Sequence, residues 1–407
     1  MYRSLFAIPH ARGMVLAAFL GRLPMSMLGI GTVLLISGVT GSYGLAGAVT
    51  ATGSLAMAAV APQLGRLTDR FGQRAVLLPG MAVYSAGVVC LVAATLLHAP
   101  DWVLYVAAVP MGGAFPSCGT MVRARWAALL ADDSQRLSTA YSLESALDEV
   151  IFIVGPVLVT VLSTGLHPAA GLLATLVFLL TGGIWFANQR HTQPTPVPHQ
   201  HRDGASAVRV PGLWVVAICF AALGAVFATI EVATVGFADD HGHKALAGVM
   251  LATFALGSMV SGFGYGARSW RAPLHARFLV GLGALAAALV PVALATSVPV
   301  LSVCSFVAGL AISPTLIAAF GLVETLVPKA ALTEGFAWLN TALGLGLAVG
   351  ASAAGRAVDV WSGHVAFRVA LVAVAVAVSV PLLAHRPLRP VTAAPTATPT
   401  GENPATG

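Results

Sequence analysis

The side chains able to do chemistry in this sequence are a few charged groups set inside apolar runs. Glu144 and Asp148 are four residues apart, so on a helix they share one face, while Glu149 points about 100° away from Asp148. Arg123 and Arg125 end the preceding apolar run, where they can form ion pairs with these acids across a helical hairpin. Arg22 lies within the first long run, about 14 Å along a helix that starts at Gly13. A charge at mid-bilayer costs about 2.5–3.5 kcal/mol on insertion scales unless it faces a cavity or a partner. Arg22 therefore reads either as a substrate or proton-relay group or as half of a structural ion pair. Glu231 is the lone acid of a later run; it either gains and loses a proton as the protein works or faces an outer vestibule. Desolvated carboxylates suit proton exchange, and a neighbouring arginine opposes it.

A second group is the polar island Gly65-Arg66-Leu67-Thr68-Asp69-Arg70-Phe71-Gly72-Gln73-Arg74. It concentrates charge in a chain that is only 9% charged. Gly65 and Gly72 allow the backbone to turn tightly at two places. Asp69 reads as a carboxylate aimed at a helix N-terminus, where the helix dipole stabilises it, with Arg70 and Arg74 as its counter-charges. The plainer reading is that these arginines only orient the chain in a membrane.

The elements that position these groups follow from composition. Of the 407 residues 57% are hydrophobic, and the mean hydropathy is +0.87. Soluble domains carry about 25% charged residues, so this chain reads as an all-α integral membrane protein. Twelve spans are predicted near 14–37, 44–64, 75–97, 102–122, 145–166, 168–187, 212–236, 245–265, 276–296, 298–322, 336–355 and 365–384. Each is long enough for a hydrocarbon core of about 30 Å. The first is too long for a signal-peptide core and reads as a span.

With both termini inside, 17 of the 21 Lys and Arg residues fall in cytoplasmic segments, as the positive-inside rule requires. The organisation expected is an N-terminal six-helix half (1–187), a cytoplasmic linker (188–211), a C-terminal six-helix half (212–385) and a disordered cytoplasmic tail (386–407). The halves repeat each other. Leu45-Ala46-Gly47 recurs as Leu246-Ala247-Gly248, and Tyr141 and Gly155 map onto Phe336 and Gly350. Parallel repeats of this kind place a binding site between the halves near the midplane.

Several classes are set aside. The basic residues form short clusters between apolar runs, which does not suggest nucleic acid. Cys90, Cys118, Cys219 and Cys304 lie inside apolar runs without a CxxC, so neither disulfide nor zinc is indicated. His199 and His201, and Asp239-Asp240-His241-Gly242-His243, read as ordinary polar turns, so no metal site is expected. There is no GxxxxGK[ST], and no Ser/His/Asp grouping stands out, so an enzyme and ATP hydrolysis are not indicated. No cofactor is expected.

The chain resembles the major facilitator superfamily (MFS) of secondary transporters over essentially its whole length. The island is similar to that family's loop 2–3 signature, G-x-L-x-D-R-x-G-R-R/K, with Gln73 in place of one basic residue. The resemblance implies the MFS fold, with two pseudo-symmetric six-helix halves. It implies a conformational latch at Gly65, Asp69, Arg70, Gly72 and Arg74, where Asp69 caps span eleven near Thr333–Gly335 in one state. Gly155-Pro156 matches only the core of the family's antiporter signature and reads as a hinge. Gly112 lacks the arginine that the family often has four residues earlier, which is Ala108 here.

The function expected is proton-coupled export of a small amphipathic molecule by alternating access. The protein would act as a monomer in the plasma membrane, with protons and a small-molecule substrate as partners and the lipid bilayer around it. A facilitator or importer of a sugar or other metabolite is the first alternative, resting on Asn340 and Trp338. A non-transporting sensor or scaffold is the second.

Overall fold

The computed structural model describes residues 4–195, 206–268, 270–328 and 331–384. The tail at 386–407 and residues 196–205 of the linker lie outside the described residues, as does the side chain of Thr333. Among the described residues, twelve helices are long and apolar enough to cross a bilayer. The first half holds α1 (Ala11–Thr40), α2 (Tyr43–Phe71), α3 (Gln73–Leu96), α4 (Asp101–Leu129), α5 (Ser134–Gly165) and α6 (Ala170–Asn188). The second holds α7 (Pro211–Asp240), α8 (Lys244–Gly266), α9 (Leu274–Leu294), α10 (Val298–Leu326), α11 (Glu334–Val360) and α12 (Gly363–Leu383).

Several helices run past their apolar cores, because polar residues at their ends stay helical. α5 starts at Ser134, where the Asp133 carboxylate accepts from the Arg136 backbone N–H and caps the first turn. Glu144 and Asp148 thus sit well inside α5 rather than at its opening. α1 is interrupted at Leu23, before Pro24. Leu23 keeps helical dihedrals (φ −48°, ψ −40°), so the missing proline N–H breaks the hydrogen-bond ladder without a sharp turn. α4 is interrupted between Gly113 and Cys118, and α10 between Gly309 and Ile312.

The island differs from its sequence reading. α2 continues as helix through Gly65 to Phe71, and α3 starts at Gln73. Only Gly72 turns, at φ 87° and ψ 156°, a conformation open to glycine and costly for other residues. Gly65 makes no turn, because one residue of positive φ is enough to end α2 and start α3.

The two halves repeat the same contacts. Gly47 of α2 lies against the Ala351 carbonyl of α11, and Gly248 of α8 lies against the Pro156 carbonyl of α5; a Cβ on either glycine would overlap that oxygen. Within each half, Gly112 of α4 packs on the Gly53 carbonyl of α2, and Gly309 of α10 packs on the Phe254 carbonyl of α8. Small residues allow this approach of backbones in lipid. The α2–α11 and α5–α8 pairs, with α1 beside α7, join the halves, while α3, α6, α9 and α12 pack against neighbours of their own half. Two ends follow from this bundle: the island end, where α2 meets α3, and the far end, where α1 meets α2.

Candidate functional site: a charged cluster between the halves and a carboxylate clasp at the far end

The charged residues of α1, α4 and α5 converge. The Arg22 guanidinium donates to Glu144 Oε2 at 2.6 Å, to Asp148 Oδ1 at 2.8 Å and to the Ala18 carbonyl at 3.2 Å. Arg123 donates to the other Asp148 oxygen at 2.7 Å, and the Trp126 indole donates to Glu144 Oε1 at 2.8 Å. Exposure rises along the chain of charges, from 0% at Glu144 and 2% at Arg22 to 24% at Asp148 and 35% at Arg123. The inner pair is sealed and the outer pair meets solvent. A buried pair holds only when its remaining donors and acceptors are satisfied. Here both Glu144 oxygens are bonded, as are all three Arg22 nitrogens.

Arg125 does not join this ion pairing. Among the described residues it meets no acid. It donates to Gln73 Oε1 at 2.8 Å, Thr192 Oγ1 at 2.8 Å and the carbonyls of Gln189 and Phe186 at 3.0 and 3.1 Å. Its guanidinium lies 3.6 Å from the centroid of the Phe186 ring. Gln73 is 3% exposed and also donates to the Met121 carbonyl at 3.0 Å. Gln73, where the signature has a basic residue, thus ties α3 to α4; a cation at that place would face the buried Arg125.

Two of the candidate acids within the spans, Glu149 and Glu231, have no cation partner among the described residues. Glu149 of α5 accepts a long hydrogen bond from Ser313 of α10 at 3.4 Å, and Ser313 pairs with Ser258 of α8 at 2.9 Å. Glu231 of α7 faces Gly29 of α1, where an added Cβ would overlap Oε1. That oxygen is buried with no hydrogen-bond partner. One acid belongs to each half, and each reaches across to the other. Gly29 was not legible as a site residue, since a glycine among 43 carries no signal of its own.

The far end is closed by polar contacts between the halves. Asp359, at the end of α11, accepts from the Tyr43 and Gly44 backbone N–H groups at 2.6 and 2.7 Å and from Ser42 Oγ at 2.8 Å. These donors form the N-terminus of α2, where a carboxylate is favoured by both hydrogen bonds and dipole. Beside it, Tyr43 Oη donates to Asp239 at 2.7 Å, and Lys244 donates to Asp239 at 2.9 Å. The Asp239–His243 turn is therefore part of a junction between the halves.

At the island end, no hydrogen bond or ion pair crosses between the halves among the described residues. Asp69 is exposed and has neither kind of partner among them. Arg70 and Arg74 do not serve as its counter-charges. Arg70 lies 5.0 Å from the Phe71 ring centroid, and Arg74 donates to Asn188 and to the Ala187 carbonyl. In the first turn of α11, Glu334 accepts from Ser206 Oγ and the Ala207 N–H at 3.0 and 2.8 Å. Helix α5 runs unbroken through Gly155 and Pro156. Gly155 packs on Ser26, whose hydroxyl donates to the Ile151 carbonyl at 2.8 Å.

Twelve membrane helices in two repeated halves, joined by one helix pair from each side and enclosing ionisable groups, define a secondary-transporter architecture. The sequence matches the Major Facilitator Superfamily over residues 14–298 and 232–406, and the chain belongs to that family. It is a multi-pass membrane transporter of small-molecule substrates, not an enzyme.

Solved structures share the fold. The nucleoside transporter NupG is 13% identical, with a TM-score of 0.68, covering 93% of this chain and 98% of that one. A bacterial homologue of the iron transporter ferroportin, in an inward-facing state, is 16% identical with a TM-score of 0.67, covering 91% and 97%. A POT family transporter in complex with a thioalcohol-conjugated peptide is 10% identical with a TM-score of 0.71, covering 93% and 96%. At such identities the likeness shows the fold alone. None of the curated proteins matches the sequence.

Proposed function

We propose that the protein exports a small amphipathic molecule in exchange for protons, as a monomer in the plasma membrane, by alternating access. The observation that carries this reading is the charge inventory between the halves. Arg22 and Arg123 are matched by Glu144 and Asp148. Glu149 and Glu231 have no matching cation among the described residues. An ionised carboxylate buried without a partner, as at Glu231, is expensive, and a bound proton removes that cost. Glu149 is half-buried, with one long hydrogen bond. Glu149 of α5 lies against α10 and Glu231 of α7 lies against α1, so each is at a contact between the halves whose surroundings change when one end closes and the other opens. The amphipathic substrate rests on Met25, which is half exposed, and on Met57, which is half-buried, both able to make adaptable contacts; Met27 packs in the core.

The island end is read as cytoplasmic from the distribution of arginines and lysines, with both termini there. The structure would then represent the state closed to the outside. Asp69, with Gly65, Arg70, Gly72 and Arg74, would act as a latch at α11 in the opposite state.

The test uses proteoliposomes carrying a pH-sensitive dye, screened against a compound panel. Wild type is expected to move protons when a transported compound is added. The variant Glu149→Gln with Glu231→Gln is expected to lose that movement while remaining monodisperse. Full coupling in that variant, or transport by wild type with no pH change, overturns the proton-linked reading. The second outcome favours a facilitator or importer of a sugar or other metabolite, a reading that also draws on the exposed amide of Asn340 in α11.

A further inference from the structure

Two cavities lie away from the charged cluster, on the flank of the first half, and they adjoin. One, of about 650 Å³, is at the island end and is lined by Arg74 and Arg190 together with Phe71, Leu78 and Pro79. The other, of about 420 Å³, runs between α2 and α3 from Leu64 and Leu67 to Val83. Phe71, Ala75 and Pro79 line both. The first cavity has two cations and no acid on its walls. The second is walled by apolar side chains and glycine alone.

We infer that these cavities form one binding site for an anionic phospholipid, with the phosphate on Arg74 and Arg190 and an acyl chain between α2 and α3. The Arg190 side chain makes no hydrogen bond or ion pair among the described residues. Arg74 uses only Nη1, on Asn188 and Ala187, and keeps Nη2 and Nε for a ligand. Guanidinium groups match phosphate oxygens in geometry and charge.

The two arginines stand at the level where headgroups lie. Arg74 is in the first turn of α3, and Arg190 follows the end of α6 at Asn188. Val83 is about 14 Å further along α3 at 1.5 Å per residue. The groove is thus about one leaflet deep in a hydrocarbon core of about 30 Å. A soluble phosphate would use the arginines and leave the groove empty. A diacyl lipid fills both, and basic pockets between helices are known to hold acidic headgroups. Because α2 also carries Asp69 and contacts α11, an occupant here braces the helix that joins the halves. The inference does not depend on the substrate or on proton coupling.

The test is native mass spectrometry of the full chain in detergent, titrated with phosphatidylglycerol or phosphatidylcholine. Wild type is expected to retain phosphatidylglycerol about tenfold better. Arg190→Gln removes a group with no internal partner, so its fold is expected to persist, and it should lose most of that preference. Ala75→Trp fills the junction of the two cavities without changing charge and should lose binding as well. Arg190→Lys should keep part of it. Glycerol 3-phosphate, the same charge without chains, should not compete. Equal retention of the two lipids by wild type, or wild-type retention by both Arg190→Gln and Ala75→Trp, overturns the site. Displacement by glycerol 3-phosphate also overturns it, since the groove then contributes nothing.

Discussion

The carboxylate of Asp359 closes on the backbone N–H of Tyr43 at 2.6 Å, so the last turn of α11 caps the first turn of α2. Asp69 stands in the last turn of α2, at the opposite end of the same helix pair, and is without such a partner. The pair α2–α11 thus carries an acid at each end, and one of the two is engaged. Asp359→Asn removes the charge and weakens three hydrogen bonds. Bonds to charged groups contribute about 1.5–3 kcal/mol, and 1.4 kcal/mol is tenfold in population. Opening of the far end should rise about tenfold or more, read as labelling of a cysteine at Ser37 by an impermeant maleimide in a background without the native cysteines. Asp69→Asn should act in the other direction, lowering that labelling, because it weakens only the state closed at the island end. Labelling that shifts the same way in both variants would refute two opposed clasps.

A separate expectation concerns stability. Arg22→Met leaves Glu144 buried with its charge facing only Trp126 and an apolar helix. Breaking a buried pair from one side costs about 3–5 kcal/mol, so the apparent melting temperature in detergent should fall by several degrees. Arg22→Met combined with Glu144→Gln removes the stranded charge and keeps an acceptor for the Trp126 indole, while Asp148 retains Arg123. Most of the loss should return. If the double variant melts below the single one, the pair does not hold α1 to α5 in this way.

Much of this was legible in the sequence. Twelve spans and two halves follow from hydropathy and the internal repeat, and helical spacing puts Glu144 and Asp148 on one face. Arg22 was legible as a buried charge, but its partners lie 122 and 126 residues on, in another helix, and spacing could not name them. Other features were not legible, for particular physical reasons. Asp359 sits at a helix end, and two of its three partners are backbone groups some 315 residues away in sequence, which leave no side-chain signature. Gly65 looked like a turn because it opens a polar stretch, yet polar residues are at ease in the last turns of a helix that leaves the bilayer. Arg125 looked like Arg123, two residues on. That offset rotates it about 200° around the helix, away from α5 and onto Gln73 and Phe186.

The repeated contacts at the far end give a further test. Gly47 and Gly248 occupy equivalent places on α2 and α8, each against a carbonyl of the opposite half. Leucine at either position cannot be accommodated without separating the halves there. Gly47→Leu and Gly248→Leu should each raise labelling at Ser37 and slow transport, by similar factors, since the two contacts are related by the internal repeat. Gly283→Leu in α9 is the control, because an added Cβ there meets nothing within 4 Å and the position belongs to no contact between the halves. A wild-type labelling pattern in both far-end variants would mean that the far end closes through other contacts.

The last expectation separates size from charge at Glu231. Gly29 leaves the space in which Glu231 Oε1 lies. Gly29→Ala places a methyl group on that oxygen and should displace the carboxylate from its seat between α1 and α7, costing up to about 1–3 kcal/mol, as overpacking does. Glu231→Ala in the same chain removes the obstacle. The two changes should therefore be non-additive, with a coupling within about 0.5–3 kcal/mol, as for residues in contact. Glu231→Gln keeps the size and removes the ionisable group, so it should leave the Gly29→Ala penalty in place while abolishing substrate-driven proton movement. Thermal unfolding reads the first effect and the proteoliposome dye reads the second. If Glu231→Gln relieved the Gly29→Ala penalty as fully as Glu231→Ala does, the contact would be electrostatic rather than steric. Gly29 would then have no special role in seating the carboxylate between the halves.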